Sequence, residues 1–443
     1  MNIRIRLGIT SLLLMSALGL PAQHKWTLDE CIDYAMEHNI DILQRDLNIT
    51  KQQVSLESAK NQRLPDLSLQ LGEQVSFGNY NLATGYVEDE IKDENRDLSY
   101  TTARLAITMP IFNGFKVKNS VKADEFALQS ATANLDNARK DMKINVAVYY
   151  LECLYYKSMA DVAYAQVGVS KKLLERATAL VEEGKRPRSE QAEAESQLSN
   201  DEYLLTDAKG QATLALLSLR QLLNLETDGD FDVADMDNDG NTVLPLSPEI
   251  VYNGVSETYP SIIEAKSMIE ASRSQVQVAR SGLYPSVMFQ GYIGAFFPAF
   301  FGKEIRGDMA DFSFFRNLMN EVVGLHVVIP LIYKKTRSNI RSANLDVRYR
   351  EMMLDDARQN LRKDIETAYY NANVAKDKYE AAEKSVIASR ITVGYEEERY
   401  DAGRSNIFDL QQAQQKLLQA QQNAVRAKYE YLVRKRILDF YME

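Results

Sequence analysis

Two cysteines in 443 residues, Cys31 and Cys153, are too few for a disulfide framework. Cys153 also falls on an apolar helical stripe, so both are expected to remain thiols. Only ten prolines interrupt the chain, which leaves room for long helices. The three histidines, His24, His38 and His326, have no metal-ligand spacing, and no nucleophile or phosphate-loop motif is present. No basic tract offsets the net charge of -10, which argues against nucleic acid and against electrostatic docking on anionic lipid. No catalytic residue and no cofactor is implied, so an enzyme is not expected.

Long apolar runs are scarce too. The one that stands out, Leu7 to Leu20, follows Arg4 and Arg6 and precedes Pro21-Ala22-Gln23. That pattern reads as a signal peptide over 1–22, cleaved after Ala22. It falls short of the roughly 20 residues a membrane-spanning helix needs, and no later stretch reaches that length. A helical membrane protein is therefore excluded. Leu28-Asp29-Glu30 puts a bulky acid where lipoprotein processing wants a small residue, so no lipid anchor is expected at Cys31. The mature chain is read as exported and unlipidated.

What the chain does have is two kinds of period. Met142, Val146, Tyr149, Cys153, Tyr156, Ala160, Ala163 and Val167 form a four-three ladder, continued by Leu174, Ala177 and Val181; only Ser170 breaks the apolar series. This is a heptad seam, the mark of a supercoiled helix. At an offset of 219 the ladder returns as Leu361, Ile365, Ala368, Ala372, Ala375, Tyr379, Ala382, Val386, Val393 and Tyr400. The chain is a tandem duplication, with a first repeat over 23–227, a linker over 228–250 and a second repeat over 251–443. A second stripe (Ile144, Val148, Leu151, Tyr155, Val162, Ala165, Val169) gives the first rod neighbours on both sides, as in a cylinder of helices. From Val117 to Glu183 such a helix is roughly 100 Å long at 1.5 Å per residue. Gly184 and Gly403 are expected in the turns that end the rods, with Pro187 and Asn406 starting the returning helices.

Between the rods the period drops to two. Alternation marks strands at about 66–78 and 99–109 in the first repeat and about 286–298 and 320–330 in the second. Leu67, Leu69 and Leu71 share one face with Ser68, Gln70 and Gly72 on the other; Val323, Leu325 and Val327 alternate with Gly324 and His326. Each run is about 10 residues, the length of a tilted membrane-spanning strand. Pro65, Pro110, Pro285 and Pro330 stand at the expected strand–helix junctions. Aromatic clusters (Tyr80, Tyr86, Tyr100; Phe296, Phe297, Phe300, Phe301; Phe312, Phe314, Phe315) flank the strand tips, as at a bilayer interface. Four strands cannot close a barrel, and an open edge in lipid leaves backbone groups unpaired at several kcal/mol each. The barrel must then be shared between chains, as eight strands from two copies or twelve from three.

Met109-Pro110-Ile111-Phe112-Asn113-Gly114 and its echo Ile329-Pro330-Leu331-Ile332-Tyr333 resemble the strand-to-helix signature of TolC-type outer-membrane efflux proteins. Leu64-Pro65, Tyr284-Pro285 and the stretch through Gly403, Asp409 and Ala413 support the resemblance, which covers nearly all of the mature chain. It implies an α+β membrane protein: a homotrimer with a twelve-stranded β-barrel, four strands per chain, continued by a coiled-coil α-helical barrel across the periplasm. The partners it implies are a periplasmic adaptor protein, an inner-membrane transporter and outer-membrane lipid. Where the family often has glycines, the second repeat has Tyr333-Lys334-Lys335.

The resemblance also places a gate. Gly184 and Gly403, with the flanking Arg186 and Arg404, mark the hairpin tips where family members meet the adaptor. Asp409 matches an acid that narrows the entrance, Glu190 falls on the corresponding position of the first repeat, and Tyr400 on a gating tyrosine. Gln412 stands where a second acid is usual and Ser405 where a gating arginine is found, so the closing network here is expected to be weaker or differently arranged. Three inward carboxylates around a narrow axis would attract cations; the simpler role for either acid is to complement a helix N-terminus. Asp235, Asp237, Asp239 and Gly240 imitate a calcium loop, but Leu246 occupies the position a bidentate Glu must fill, so a solvated loop is expected. The function expected is a passive exit duct of an efflux pump. A duct for protein secretion shares the architecture, and a periplasmic coiled-coil scaffold without a pore is the reading from another class.

Overall fold

The computed structural model describes residues 25–77, 98–225, 231–236, 244, 247–300 and 319–442. The expected signal peptide, most of the aromatic tip residues and the Asp237–Gly240 part of the acidic loop lie outside them. The elements run β1 (Lys25–Trp26), α1 (Leu28–His38), α2 (Ile40–Asn61), β2 (Asp66–Ser76), β3 (Leu98–Asn113), α3 (Lys116–Glu182) and α4 (Arg188–Leu222). There follow β4 (Asp232–Val233), α5 (Pro248–Val255), α6 (Pro260–Ser281), β5 (Ser286–Phe300), β6 (Met319–Val328), α7 (Lys334–Asp401) and α8 (Ile407–Met442). The duplication is plain in the lengths: α2 and α6 both have 22 residues, α3 and α7 have 67 and 68, α4 and α8 have 35 and 36. Among the described residues no helix is long and apolar enough to cross a membrane.

The chain divides into two compact units. One comprises 44–137 and 255–363 and holds a four-stranded antiparallel sheet in the order β2-β3-β5-β6. The register aligns Leu69, Leu105, Ile293 and Glu321 across the sheet, so one face gathers most of the aliphatic residues of the four strands, with Glu73 and Glu321 among them, while Val322 and Val328 lie on the other. That face is bare: Leu67, Leu69 and Leu71 are 65–73% exposed and Val323 is 76% exposed. Strands β2 and β6 pair on one side only among the described residues. Pro65 and Pro285 directly precede their strands and Pro330 follows β6. Pro110 departs from the expected junction, because β3 continues to Asn113. Proline has no N–H for the ladder, so the register shifts between Pro110 and Phe112, after which pairing resumes. The turn into α3 is then made by Gly114 at φ 63°, where a Cβ would lie 2.5 Å from the Ser281 carbonyl oxygen.

The other unit comprises 1–43, 138–254 and 364–443 and is built on the heptad seams. Met142, Val146 and Cys153 on α3 and Leu361, Ile365, Ala368, Ala372 and Ala375 on α7 are buried, although Leu361 itself belongs to the first unit. The second stripe on α3 is only partly covered within one chain: Leu151 is buried, whereas Val169 is exposed. Ser170 is explained by Asp201 on α4, a carboxylate 1% exposed. It accepts hydrogen bonds from the Ser170 hydroxyl, Gln166 Nε2 (3.1 Å) and Gln197 Nε2 (2.9 Å). The N-terminal segment is clasped nearer the middle of α3, at Tyr150 and Lys157. α1 opens on a capping box of Thr27 and Glu30, and β1 pairs in parallel with β4 of the linker. Tyr150 donates to the carbonyls of Trp26 (3.0 Å) and Ala234 (2.7 Å), and Lys157 Nζ reaches Asp232 at 2.8 Å.

Candidate functional site at the helix tips

The two glycine turns are the same motif twice. Gly184 and Gly403 adopt φ 72° and 71°. After the first, Lys185 N–H donates to Leu180 (2.9 Å) and Gly184 N–H to Val181 (3.0 Å). After the second, Arg404 N–H donates to Arg399 (2.8 Å) and Gly403 N–H to Tyr400 (3.0 Å). This pairing of a six-to-one with a five-to-two bond is the Schellman close of a helix, and it needs a residue without Cβ at the left-handed position. The ends of α3, α4, α7 and α8 meet in one apolar cluster of Leu173, Ala177, Ala194, Tyr400, Ile407 and Leu410.

Around that cluster the duplication has diverged. Glu190 and Asp409 are equivalent by the offset of 219, yet their surroundings differ. Glu190 is buried (9% exposed) and takes a hydrogen bond from the Tyr400 hydroxyl at 3.1 Å and from Arg186 Nη1 at 3.3 Å. Arg186 also donates through Nη2 to the Ser405 carbonyl at 3.2 Å and lies 4.9 Å from the centre of the Tyr400 ring. One guanidinium thus ties the first turn to the second. Arg176 approaches the same ring at 5.3 Å and pairs with Asp401. Burial, then the charge of Glu190, holds the Tyr400 phenol above its ordinary range, so it stays a hydrogen-bond donor.

Asp409 has none of this. Position 405 is serine where the first repeat has Arg186, so no cation sits four residues before the acid. Asn406 caps α8 by accepting from the Asp409 N–H at 2.9 Å, while the Asp409 carboxylate is half-buried and has no ion-pair partner among the described residues. Gln412, Arg404 and Gly403 are exposed, as is Gly184. Ser405 Oγ and Gln411 Nε2 are buried without a partner among the described residues. The structure therefore brings Tyr400, Glu190 and Arg186 together and leaves Asp409, Gln412 and Arg404 outside that contact. Sequence reasoning assigned Arg186 only to the exposed tip; its spacing of four from Glu190 was the signal that it could act as a clamp.

Residues 31–225 and 251–442 match the model of the outer membrane efflux protein family. The chain belongs to that family. It is 21% identical over 359 residues to the outer membrane efflux protein BepC of Brucella suis, covering 80% of this chain and 74% of BepC. Against the outer membrane protein TolC of Escherichia coli it is 21% identical over 384 residues, covering 85% and 74%. Solved structures share the fold: CusC with a TM-score of 0.77 at 16% identity, covering 94% of this chain and 91% of that one. The Campylobacter jejuni CmeC outer membrane channel gives 0.76 at 15% identity, covering 100% and 93%. This efflux-family protein is accordingly an outer-membrane protein with a long helical periplasmic extension, and the CmeC structure it resembles in fold is that of an outer membrane channel.

Proposed function

We propose that this protein is the outer-membrane exit duct of a tripartite efflux pump, a passive trimeric channel for small molecules that works with a periplasmic adaptor and an inner-membrane transporter. The observation that carries this is the sheet: two edge strands that pair on one side only among the described residues, one bare, largely aliphatic face and one face of Ser68, Gln70, Thr102, Thr108 and Gln290. Hydrocarbon tolerates such an edge only when another copy pairs with it, and three copies supply twelve strands. The polar face then lines the lumen. At the helix tips, Glu190 holds the hairpins together, and Asp409, lacking a clamp, is the acid that faces the constriction.

Purified protein is expected to extract from the outer membrane only with detergent, as a trimer, and to conduct in a planar bilayer. A monomer soluble without detergent would refute the proposal. Asp409→Ala is expected to lower cation selectivity and weaken block by multivalent cations. Unchanged selectivity and block would remove Asp409 from the constriction while leaving the duct intact.

A further inference from the structure

The polar face of the sheet carries one arginine. Arg104 on β3 lies opposite Gln70 of β2 and Gly294 of β5. Its guanidinium carbon stands 4.3 Å from the centre of the Tyr292 ring, two residues before Gly294 on the same face. A Cβ at position 294 would lie 2.8 Å from the Ala103 carbonyl oxygen and 3.2 Å from the Cβ of Arg104. Glycine there is what lets the arginine lie along β5 and reach the ring. Arg104 is exposed and has no carboxylate partner among the described residues. The acid on the same face, Asp66, pairs with Thr108, about 13 Å along β3 at roughly 3.3 Å per residue.

A guanidinium lying on an aromatic face keeps its in-plane N–H groups free, and that fork matches a carboxylate or sulfonate. Stacking also restricts the long side chain before any ligand arrives, which lowers the ordering cost of binding. We propose that Arg104 and Tyr292 form a recognition point for planar organic anions on the lumenal wall. This rests on the reading of the polar face as the wall of a pore. Each subunit supplies one such point, so an anionic aromatic compound moving through the barrel meets a ring of them.

The test uses the full-length protein in a planar bilayer, with sodium benzoate compared with sodium chloride. Benzoate is expected to block the single-channel current, and Arg104→Gln to weaken that block by about threefold or more at 0.1 M salt, where screening already acts over about 10 Å. Arg104→Lys keeps the charge and is expected to preserve the reversal potential in chloride while losing the benzoate block. Tyr292→Phe is expected to retain the block and Tyr292→Leu to lose it. Benzoate block that is equal in wild type and Arg104→Gln, or equal in wild type and Arg104→Lys, would overturn the inference. Conduction in chloride with no response to benzoate would overturn it alone, whereas no conduction from wild type would overturn the duct reading beneath it.

Discussion

Replacing Arg186 with alanine removes three contacts, two of which cross from the first turn to the second, and their sizes can be worked through. The bond to the Ser405 carbonyl is charge-assisted and contributes about 1.5 kcal/mol. The Glu190 pair has side chains 19% and 11% exposed, between a surface bridge and a buried one, so about 1 kcal/mol is reasonable. The guanidinium over Tyr400 adds about 0.5 kcal/mol. If the proposed duct opens by parting the two turns, the crossing contacts account for about 2 kcal/mol of the closed arrangement, with Glu190 left on the Tyr400 hydroxyl, and the expected rise in the open-to-closed ratio is about thirtyfold. Single-channel recording in a planar bilayer reads this ratio directly. Arg404→Ala, at an exposed residue outside the clamp, is the control expected to match wild type. If Arg186→Ala changed the ratio by less than about threefold, these contacts would not be what holds the tips, and the reasoning from their energies would fail.

Three further expectations follow from the packing. Gly114→Ala should prevent assembly or cost more than about 2 kcal/mol, because its Cβ meets backbone, whereas Gly403→Ala, with open space around it, should cost about 1 kcal/mol; thermal unfolding of the two variants checks the contrast. Burial, with the charges of Glu30 and Glu152 adding to it, pushes the Cys31 and Cys153 thiols up to about 12, so a thiol reagent at pH 8 should label neither until denaturant is added, and then both. Burial alone would raise the Asp232 carboxyl, but the hydrogen bonds and charges from Lys157, Val233 and Lys25 outweigh it and hold it below the ordinary range. Its contribution is thus present above about pH 4 and is lost as pH falls through the lower folded value. Fluorescence of Trp26, the single tryptophan, should report the clasp loosening on acidification, and Lys157→Met should move that change to higher pH.

The long elements were legible because their periods are long. A heptad seam kept from Met142 to Val181 and repeated from Leu361 leaves few alternatives, and the burial of Val146, Ile365 and Ala372 follows from it. Strand faces could be read because a period of two is kept over about ten residues in each run. Strand ends could not: Pro110 was a plausible stop, and only the pairing partner shows that a register shift absorbs it. At the tips, glycine position and the identity of the two acids were readable, but their different fates depend on contacts between helices far apart in sequence. Tyr400 finds Glu190 across 210 residues, a distance no local pattern spans. Asp201 was missed outright, although Ser170, the one polar residue in the seam, was its visible counterpart.

The outer edges of β2 and β6, unpaired among the described residues, bear on how the protein is made as well as on what it becomes. A newly exported copy has its helices formed by local bonds, yet it carries two adhesive rims that any passing extended segment can satisfy. Under the proposed trimeric duct its last ladders are laid down only when sister copies arrive, so maturation is expected to be second order or higher in concentration, with the open rims of a lone copy exposed until then.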